Sequence, residues 1–347
     1  MPTSPDRAKL ATQQRWNERW YGTQTPDAGW LLLSLVYRVG RWLRGLPWRF
    51  GLRKPARLEV PVLIVGNLTV GGTGKTPLVI ALIEELRARG HRVGVISRGY
   101  GRATRGVRLV DSTSTASEVG DEPLLIARKT RAPVVVGEDR VAAAKRLIGL
   151  VPLDLVISDD GLEHWALARR AEIVVIDGAR GFGNGRLLPA GPLRAPLSRL
   201  KSVDAIVRNG GSAASGEFSM QLEPTHLTAL ASGREEGMRN WRGRQAHVVA
   251  GTGNPERVFA SVRALGIEVV EHAQPDHVDF RVTKVPEFSD GLAVITTEKD
   301  AIKLEPRPGW YVLKVAAKLP KEFYDLITER MGLNEPPPAP KPRPWER

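Results

Sequence analysis

Residues 62–77 read Val-Leu-Ile-Val-Gly-Asn-Leu-Thr-Val-Gly-Gly-Thr-Gly-Lys-Thr-Pro, and this stretch decides the fold. A run of β-branched and apolar residues ends in a glycine-rich turn, and a helix-patterned segment follows over residues 78–89. This order predicts a strand, a phosphate loop and a helix. Glycines let backbone N–H groups turn toward phosphate oxygens, and the helix N-terminus adds a partial positive charge.

The turn supplies candidate ligands for phosphate and for Mg²⁺. Lys75 is expected to reach the β- and γ-phosphates, and the hydroxyl of Thr76 is expected to ligate Mg²⁺. Thr69 stands where the strict pattern has its first glycine. A glycine-rich turn with an incidental lysine is the alternative, and the strand-to-helix context disfavours it. The predicted nucleotide-binding residues of the loop are Gly71, Gly72, Thr73, Gly74, Lys75 and Thr76.

Length and composition limit the possible classes of protein. A chain of 347 residues is long enough for two domains that each bury a core. Cysteine is absent from the sequence, which excludes disulfides and cysteine-ligated metal and fits a reducing compartment. The chain holds 51 basic and 38 acidic residues, a formal net charge of +13.

Much of this charge lies in the first 58 residues, which hold 11 Lys/Arg, 3 Asp/Glu and five of the nine tryptophans. A charge concentrated in one segment argues against a nucleic-acid-binding surface, so we expect no nucleic-acid partner. The uncharged run over residues 28–37 is too short to span a bilayer, which needs about 20 apolar residues. Arginines beside Trp and Tyr on an apolar helix favour a helix that lies on an anionic membrane surface. An amphipathic helix docked on the protein's own core is the alternative.

From residue 60 to residue 207 the pattern alternates strand and helix, which predicts a doubly wound parallel α/β sheet of the phosphate-loop NTPase type. Strands are predicted over residues 60–66, 92–97, 133–136, 154–158, 172–177 and 203–207, and helices over 76–89, 121–129 and 138–149.

A second, smaller α/β unit is predicted after a Gly/Ser-rich linker or hairpin turn over residues 210–216. Its strands are predicted over residues 246–250, 267–271, 292–296 and 310–315, and its helices over 255–265 and 321–331. The predicted organisation is a basic membrane-associated segment (1–58), a phosphate-loop unit (59–209), a C-terminal unit (210–331) and a Pro-rich disordered tail (332–347).

Charged residues follow several of the predicted strands. Asp159 and Asp160 end an apolar strand, where phosphate-loop proteins place an Asp that holds Mg²⁺ or its waters. Open sheets bind ligands at this carboxyl edge, which favours the metal over two acids that simply open a turn.

Two further candidates have strong structural explanations when they are considered alone. Asp121 opens a predicted helix, where an acid often serves as a cap. His277 lies in an irregular stretch, and a lone histidine is usually structural.

Together these motifs resemble the tetraacyldisaccharide 4′-kinases, the lipid A kinases of Gram-negative bacteria. The resemblance runs from about residue 30 to residue 331. It rests on motifs that occur in order at residues 66–77, 97–101, 120–123, 159–164, 180–185, 189–194, 275–277 and 297–300.

The resemblance implies transfer of the ATP γ-phosphate to the 4′-hydroxyl of a tetraacylated glucosamine disaccharide 1-phosphate, a lipid A precursor. The reaction would take place at the cytoplasmic face of the inner membrane, and we expect the protein to act as a monomer. By resemblance, Asp121 and His277 form a catalytic base and Lys75 also acts in catalysis. By the same resemblance, Arg140 and Arg194 are expected near the phosphates, and Asp159 and Asp160 are expected to serve the metal.

The sequence departs from the family pattern at two places. The family usually has Leu-Arg-Glu-Pro where this chain has Leu193, Arg194, Ala195 and Pro196, so a carboxylate expected near Mg²⁺ is missing. A second histidine usual after the Asp-His pair is replaced by Val278.

Two other classes of protein compete with a kinase. A phosphate-loop GTPase or metal-chaperone ATPase would use the same loop, but residues 297–300 have the wrong order for an Asn-Lys-x-Asp guanine reader. A non-enzymatic membrane or nucleic-acid binder has no need for an intact Lys75 and Thr76.

Overall fold

The structure, a computed structural model, describes residues 4–276 and 287–334. His277 and most of the predicted Pro-rich tail lie outside the described residues.

The helices lie close to their predicted positions in the phosphate-loop unit and at the end of the chain. The structure adds an N-terminal helix and two single-turn helices that the pattern did not indicate. The helices are α1 (Ser4–Tyr21), α2 (Ala28–Arg49), α3 (Lys75–Ala88), α4 (Ala116–Val119), α5 (Asp121–Thr130), α6 (Arg140–Leu150), α7 (Pro255–Ala264), α8 (Glu298–Ala301) and α9 (Lys321–Met331).

Each predicted strand is confirmed to within a few residues at its ends. Three strands, β3, β8 and β9, were not predicted. The strands are β1 (Val62–Gly66), β2 (Val93–Ser97), β3 (Arg108–Val110), β4 (Val134–Val136), β5 (Leu155–Asp159), β6 (Ala171–Asp177), β7 (Ala205–Asn209), β8 (Phe218–Ala229), β9 (Glu235–Glu236), β10 (Gln245–Ala250), β11 (Glu268–Ala273), β12 (Ala293–Thr297) and β13 (Trp310–Lys318).

Strand β1 is the centre of the phosphate-loop unit because it is buried on both faces. Successive side chains of a strand point to opposite faces, so its residues divide between two hydrophobic clusters. Leu63 and Val65 pack on the side of α3 and α5, whereas Val62 and Ile64 pack on the side of α6. The continuous apolar run is therefore explained by a parallel strand covered on both sides.

Parallel pairing brings the carboxyl ends of several strands to one edge of the sheet. Strand β1 pairs in parallel with β5 and β6, and β2 pairs in parallel with β5 and β4. The segments that follow β1, β2, β5 and β6 thus meet at this edge, where open α/β sheets bind ligands. This confirms the predicted phosphate-loop fold.

One sheet runs through both units in the part of the chain that the structure describes. Its order is β11-β10-β12-β13-β8-β7-β6-β1-β5-β2-β4-β3, with β9 paired to β8. Strand β8 joins the units, because it pairs in parallel with β7 and antiparallel with β13. Residues 210–216 therefore connect two parallel strands, and the hairpin alternative for them is wrong.

The last helix of the C-terminal unit also packs on the phosphate-loop unit. Phe323, Ile327 and Met331 of α9 belong to the same buried cluster as Leu63 of β1. The ring of Phe323 meets that of Phe218 edge to face, with 5.4 Å between centroids. The two units thus share a core as well as a sheet.

Helix α2 has one face against the protein and one face in solvent. The docked face holds Ser34, whose hydroxyl donates to the carbonyl of Leu187 at 2.6 Å, and Tyr37, whose hydroxyl donates to the carbonyl of Arg194 at 3.0 Å. Further along this face, Arg41 donates two hydrogen bonds to Glu163, at 2.9 and 3.0 Å. The docking alternative for this segment is therefore confirmed for one side of the helix.

The opposite face of α2 is exposed and apolar. Its exposed side chains include Leu32, Leu35, Val36, Val39, Trp42 and Leu43, each about half or more exposed. Among the described residues, no helix is both long enough and apolar enough to cross a bilayer.

We expect Phe323→Ala to lower the free energy of unfolding by about 3–5 kcal/mol, since it removes a fully buried ring from the shared core. Urea denaturation measures the change. Phe50→Ala is the control, because Phe50 is 73% exposed and its loss should change stability by less than about 0.5 kcal/mol. Equal effects of the two substitutions would contradict the shared core.

Candidate active site

The phosphate loop leads from β1 into α3, and glycine is required where the helix begins. Gly74 caps α3 with a φ of 96°, in the left-handed region. A Cβ there would clash with Nδ2 of Asn209, which itself donates to the carbonyl of Thr73 at 3.0 Å. Asn209, at the end of β7, therefore supports the loop through this hydrogen bond, and glycine at position 74 leaves room for the Asn209 side chain.

Thr69 replaces the first glycine of the strict pattern because the backbone there is extended. It forms an antiparallel bridge with Leu193, and the N–H of Val70 donates to the carbonyl of Pro192 at 2.9 Å. A residue in a bridge does not need a glycine's freedom.

Lys75 lies at the start of α3, over the loop. Its Nζ donates to Oδ1 of Asn67 at 3.1 Å and lies 3.9 Å from Oδ1 of Asp160. Thr76, the next residue, is buried at the same helix end. Both predicted ligands thus sit where the partial positive charge of the helix is greatest.

Arg194 binds the same two residues, Asn67 and Asp160, that Lys75 contacts. Its guanidinium binds Asp160 through two hydrogen bonds of 3.0 and 2.8 Å and donates to the carbonyl of Asn67 at 2.9 Å. Burial alone would raise the pKa of Asp160, but the charges of Lys75 and Arg194 hold it well below its usual range. Asp160 is therefore an ionised residue that organises two cations.

Asp159 has the opposite environment. Its side chain is buried, Ser97 donates to Oδ2 at 3.3 Å, and Oδ1 has no hydrogen-bond partner among the residues that the structure describes. Burial, with a further contribution from the charge of Glu122, raises the pKa of Asp159 to about 7. A buried carboxylate oxygen without a donor, next to the strand that leads to Thr76, suits a divalent cation that prefers oxygen ligands.

Arg140 belongs to the same edge of the sheet. It begins α6, is 4% exposed, and donates to the carbonyl of Gly137 at 2.8 Å, while its Nε has no hydrogen-bond partner in the described part of the chain. Burial lowers the pKa of Arg140 to about 10, although Asp159 and Asp160 act against this shift. The guanidinium remains charged at neutral pH and adds to the positive field beside the loop.

The predicted catalytic acid, Asp121, lies where the two units meet. It is in the first turn of α5, and its Oδ2 is 3.2 Å from Nζ of Lys303 in the C-terminal unit. The neighbouring Glu122 is 3.7 Å from Nζ of Lys299, which also binds Asp276 at 2.8 Å. Burial opposes the charge of Lys299, yet Asp276 and Glu122 raise its pKa.

The structure thus brings the phosphate-loop residues, Arg140, Asp159, Asp160 and Arg194 to one edge of the sheet. Asp121 lies on the same side, in an ion pair, and His277 cannot be placed because it lies outside the described residues. Ala195 is buried in an apolar cluster with Leu68 and Leu193.

Sequence reasoning missed several polar residues that hold the site together. Asn209, Arg180 and Lys303 bind site residues that are distant in the sequence. Asn67 binds both Lys75 and the distant Arg194, and Lys299 pairs with Glu122 and Asp276. The sequence offered one partial signal, since Asn67, Arg180 and Lys299 fall in motifs that were recognised without a role for these residues.

A cleft of about 520 Å³ opens beside the loop. It lies between α1, the phosphate loop and the C-terminal unit, and its walls include Trp16, Trp20, Gly71, Arg180 and Asp276. Aromatic faces on one side and charged groups on the other are suited to an amphipathic ligand.

The fold and this edge of the sheet define a phosphate-loop protein that binds nucleotides. The family model for tetraacyldisaccharide-1-P 4′-kinase matches residues 28–332. The chain belongs to this family.

Curated relatives match over nearly their full length. A tetraacyldisaccharide 4′-kinase of Shewanella baltica is 45% identical, over 91% of this chain and 94% of the relative. A tetraacyldisaccharide 4′-kinase of Methylobacillus flagellatus is 44% identical, over 91% of this chain and 96% of the relative. The crystal structure of LpxK from Aquifex aeolicus in complex with ATP is similar with a TM-score of 0.74 and 30% identity, over 88% of this chain and 99% of that one.

We expect Thr69→Gly to destabilise the protein by roughly 0.5–1 kcal/mol without tightening ATP binding, because glycine weakens an extended, bridged segment. Thermal unfolding and calorimetric titration with ATP measure the two effects. Thr69→Ser keeps the hydroxyl and is the control. Tighter ATP binding by the glycine variant would contradict this account of the missing glycine.

Proposed function

We propose that this protein transfers the γ-phosphate of ATP to the 4′-hydroxyl of a tetraacylated glucosamine disaccharide 1-phosphate, a precursor of lipid A. The observation that carries the proposal is the network of Lys75, Asp160 and Arg194 over a phosphate loop, in a chain that belongs to this kinase family. The bond between the γ-phosphorus and the β–γ bridging oxygen breaks, ADP leaves, and the sugar oxygen takes its place on phosphorus.

The residues of the loop and its neighbours supply most of what this transfer needs. Phosphoryl transfer depends on positioning and on neutralising charge that spreads over the phosphate oxygens. The N–H groups of residues 71–76 would cradle the phosphates, and Lys75, Arg140 and Arg194 would supply positive charge. ATP is the nucleotide bound in the solved relative.

Oxygens of Thr76, Asp159 and Asp160 would hold Mg²⁺. The unpartnered oxygen of Asp159 supports this, since a buried carboxylate needs a compensating charge. When bound, the ion neutralises negative charge on the transferring phosphate. Ala195 cannot contribute a ligand, so this position adds no carboxylate to the three proposed side chains.

Asp121 is the proposed proton acceptor for the sugar hydroxyl, together with His277. A hydroxyl is a poor nucleophile, and a base within hydrogen-bond reach can take its proton as transfer proceeds. Asp121 belongs to the phosphate-loop unit and His277 to the C-terminal unit, so the base would assemble where the units meet. The ion pair with Lys303 supports this location, because it holds Asp121 at that boundary.

The exposed apolar face of α2 is proposed to lie on the cytoplasmic surface of the inner membrane, where a lipid substrate resides. Arg38, Arg44 and Arg49 are exposed on the same helix, and each basic side chain near an anionic surface contributes about 1 kcal/mol. The helix would lie on the membrane, with its docked face holding the catalytic unit close to the lipid.

Lys75→Ala should reduce turnover by about 10²–10³, because the transition state loses one electrostatic partner. The assay is thin-layer chromatography of the labelled disaccharide precursor with Mg-ATP, repeated with EDTA to test the metal. Lys145→Ala, an exposed lysine on α6, is the control and should keep normal turnover. Normal turnover by a folded Lys75→Ala protein would reject the proposed kinase site.

Asp121→Asn, His277→Gln and the double variant should show strongly non-additive losses of kcat, because paired residues act as one unit. Lys303→Met distinguishes the role of Asp121 as a base from its role in the ion pair, since this substitution removes the ammonium group that pairs with Asp121 and keeps the Asp121 carboxylate. We expect this variant to retain more activity than Asp121→Asn. Losses that multiply in the double variant, or equal losses for Lys303→Met and Asp121→Asn, would contradict the base.

Leu32→Ser, Val36→Ser and Leu43→Ser in combination should weaken binding to anionic vesicles and leave the melting temperature unchanged, because each of these side chains is more than half exposed. Vesicle flotation measures the binding. The matched control combines Val107→Ser, Leu109→Ser and Leu197→Ser, which are exposed apolar residues elsewhere. Equal vesicle binding by the two triple variants would argue against a membrane role for α2.

A further inference from the structure

Arg180 is the feature that the proposed reaction leaves without a role. It lies three residues after β6, and its side chain is 15% exposed. Its guanidinium touches the phosphate loop, the C-terminal unit and α1 at once. A side chain held between three parts of the chain is a candidate for a positioning residue.

A buried carboxylate fixes Arg180 from behind. Its Nε donates to Oδ2 of Asp177 at 3.1 Å, and the side chain of Asp177 is 2% exposed. The other oxygen of Asp177 accepts from the backbone N–H groups of Ala179 and Arg180 and pairs with Arg257 of α7 at 2.6 Å. The contacts with Asp177 therefore fix the orientation of the guanidinium toward the phosphate loop and the C-terminal unit.

Its two remaining nitrogens bind one carbonyl in each unit. NH2 donates to the carbonyl of Gly72 in the phosphate loop at 2.6 Å, and NH1 donates to the carbonyl of Gly253 in the C-terminal unit at 3.0 Å. The two loops are in backbone contact at this point, since a Cβ on Gly253 would lie 2.7 Å from the nitrogen of Gly72. Arg180 therefore links the backbone of the phosphate loop at Gly72 to the backbone of the C-terminal unit at Gly253, and neither of these residues has a side chain.

The third contact is with the N-terminal segment. The centre of the guanidinium lies 5.3 Å from the ring centroid of Tyr21, at the end of α1. That distance is within the range of a cation–π interaction.

These contacts bear on how the phosphate loop works. The loop binds an anion only when its N–H groups point toward it, so its carbonyl groups must be satisfied on the other side. We propose that Arg180 is a positioning residue that holds the carbonyl of Gly72 away from the phosphates and thereby ties the binding shape of the loop to the docked positions of α1 and the C-terminal unit. This inference rests on the proposed binding of ATP.

Two properties of arginine suit it to this role. Its planar guanidinium donates in several fixed directions, whereas a lysine offers a compact charge without that fork. Hydrogen bonds from a charged donor also contribute more than neutral ones, and their loss corresponds to roughly 10-fold to 100-fold in an equilibrium constant.

The test is calorimetric titration of the full chain with Mg-ATP, for which we expect Arg180→Ala to raise the Kd about 10-fold to 100-fold. Arg180→Lys should recover only part of the loss. Arg92→Ala is the matched control, because it removes a bidentate pair with Asp154 at the other end of the strands, and it should leave the Kd unchanged.

Melting temperatures separate positioning from stability. If Arg180→Ala and Arg92→Ala lower the melting temperature alike and neither changes the Kd for ATP, Arg180 is only a stabilising ion pair and the inference is overturned. If Arg180→Ala does not fold, Arg180→Lys and Gly253→Ala decide by the same titration. Both should weaken ATP binding, and an unchanged Kd in both would overturn the inference.

The coupling between units is tested by combining Arg180→Lys with Gly253→Ala. Both changes disturb the same junction, so their effects on the Kd should be non-additive, and additive effects would overturn the coupling. Failure of the unmodified protein to bind ATP would overturn the proposed function and this inference with it. Normal binding by that protein, with unchanged binding by the Arg180 variants, would overturn the inference alone.

Discussion

The site depends on two consecutive carboxylates at the end of β5, which lie in opposite electrostatic environments. Asp159 is buried, one of its oxygens has no hydrogen-bond partner among the described residues, and burial raises its pKa to about 7. Asp160 is held by Lys75 and Arg194, which keep its pKa well below the usual range. Neighbouring acids with opposite environments can contribute differently to one site: Asp160 already binds the protein's own cations, whereas an oxygen of Asp159 remains available to the proposed Mg²⁺.

Much of the phosphate-loop unit could be predicted because its signals are local. The apolar run of β1, the glycine turn and the helix pattern of α3 each follow from a short stretch, and parallel strands read as continuous apolar runs. The positions of Asp159 and Asp160 then followed from the rule that strand ends meet at one edge. Arg140 and Arg194 came from family resemblance, and the structure brings both to that edge.

The elements that were missed depend on distant partners. Strand β8 alternates half-buried and exposed residues and contains Pro224, which normally argues against a strand. The structure accommodates Pro224 at an irregularity in the pairing with β13, where the register shifts at Val315. The roles of Lys299 and Lys303 were also out of reach, because no local pattern shows that their partners come from α5.

The exposed face of α2 has a consequence for how substrate concentration should be defined. A protein seated on a bilayer meets a lipid by lateral diffusion within the surface, so bulk concentration no longer describes the encounter. On the proposed membrane location, the rate would follow the mole fraction of acceptor among the surrounding lipids. Adding inert phospholipid at a constant total amount of acceptor lipid would then slow the reaction, although the bulk concentration of the acceptor is unchanged.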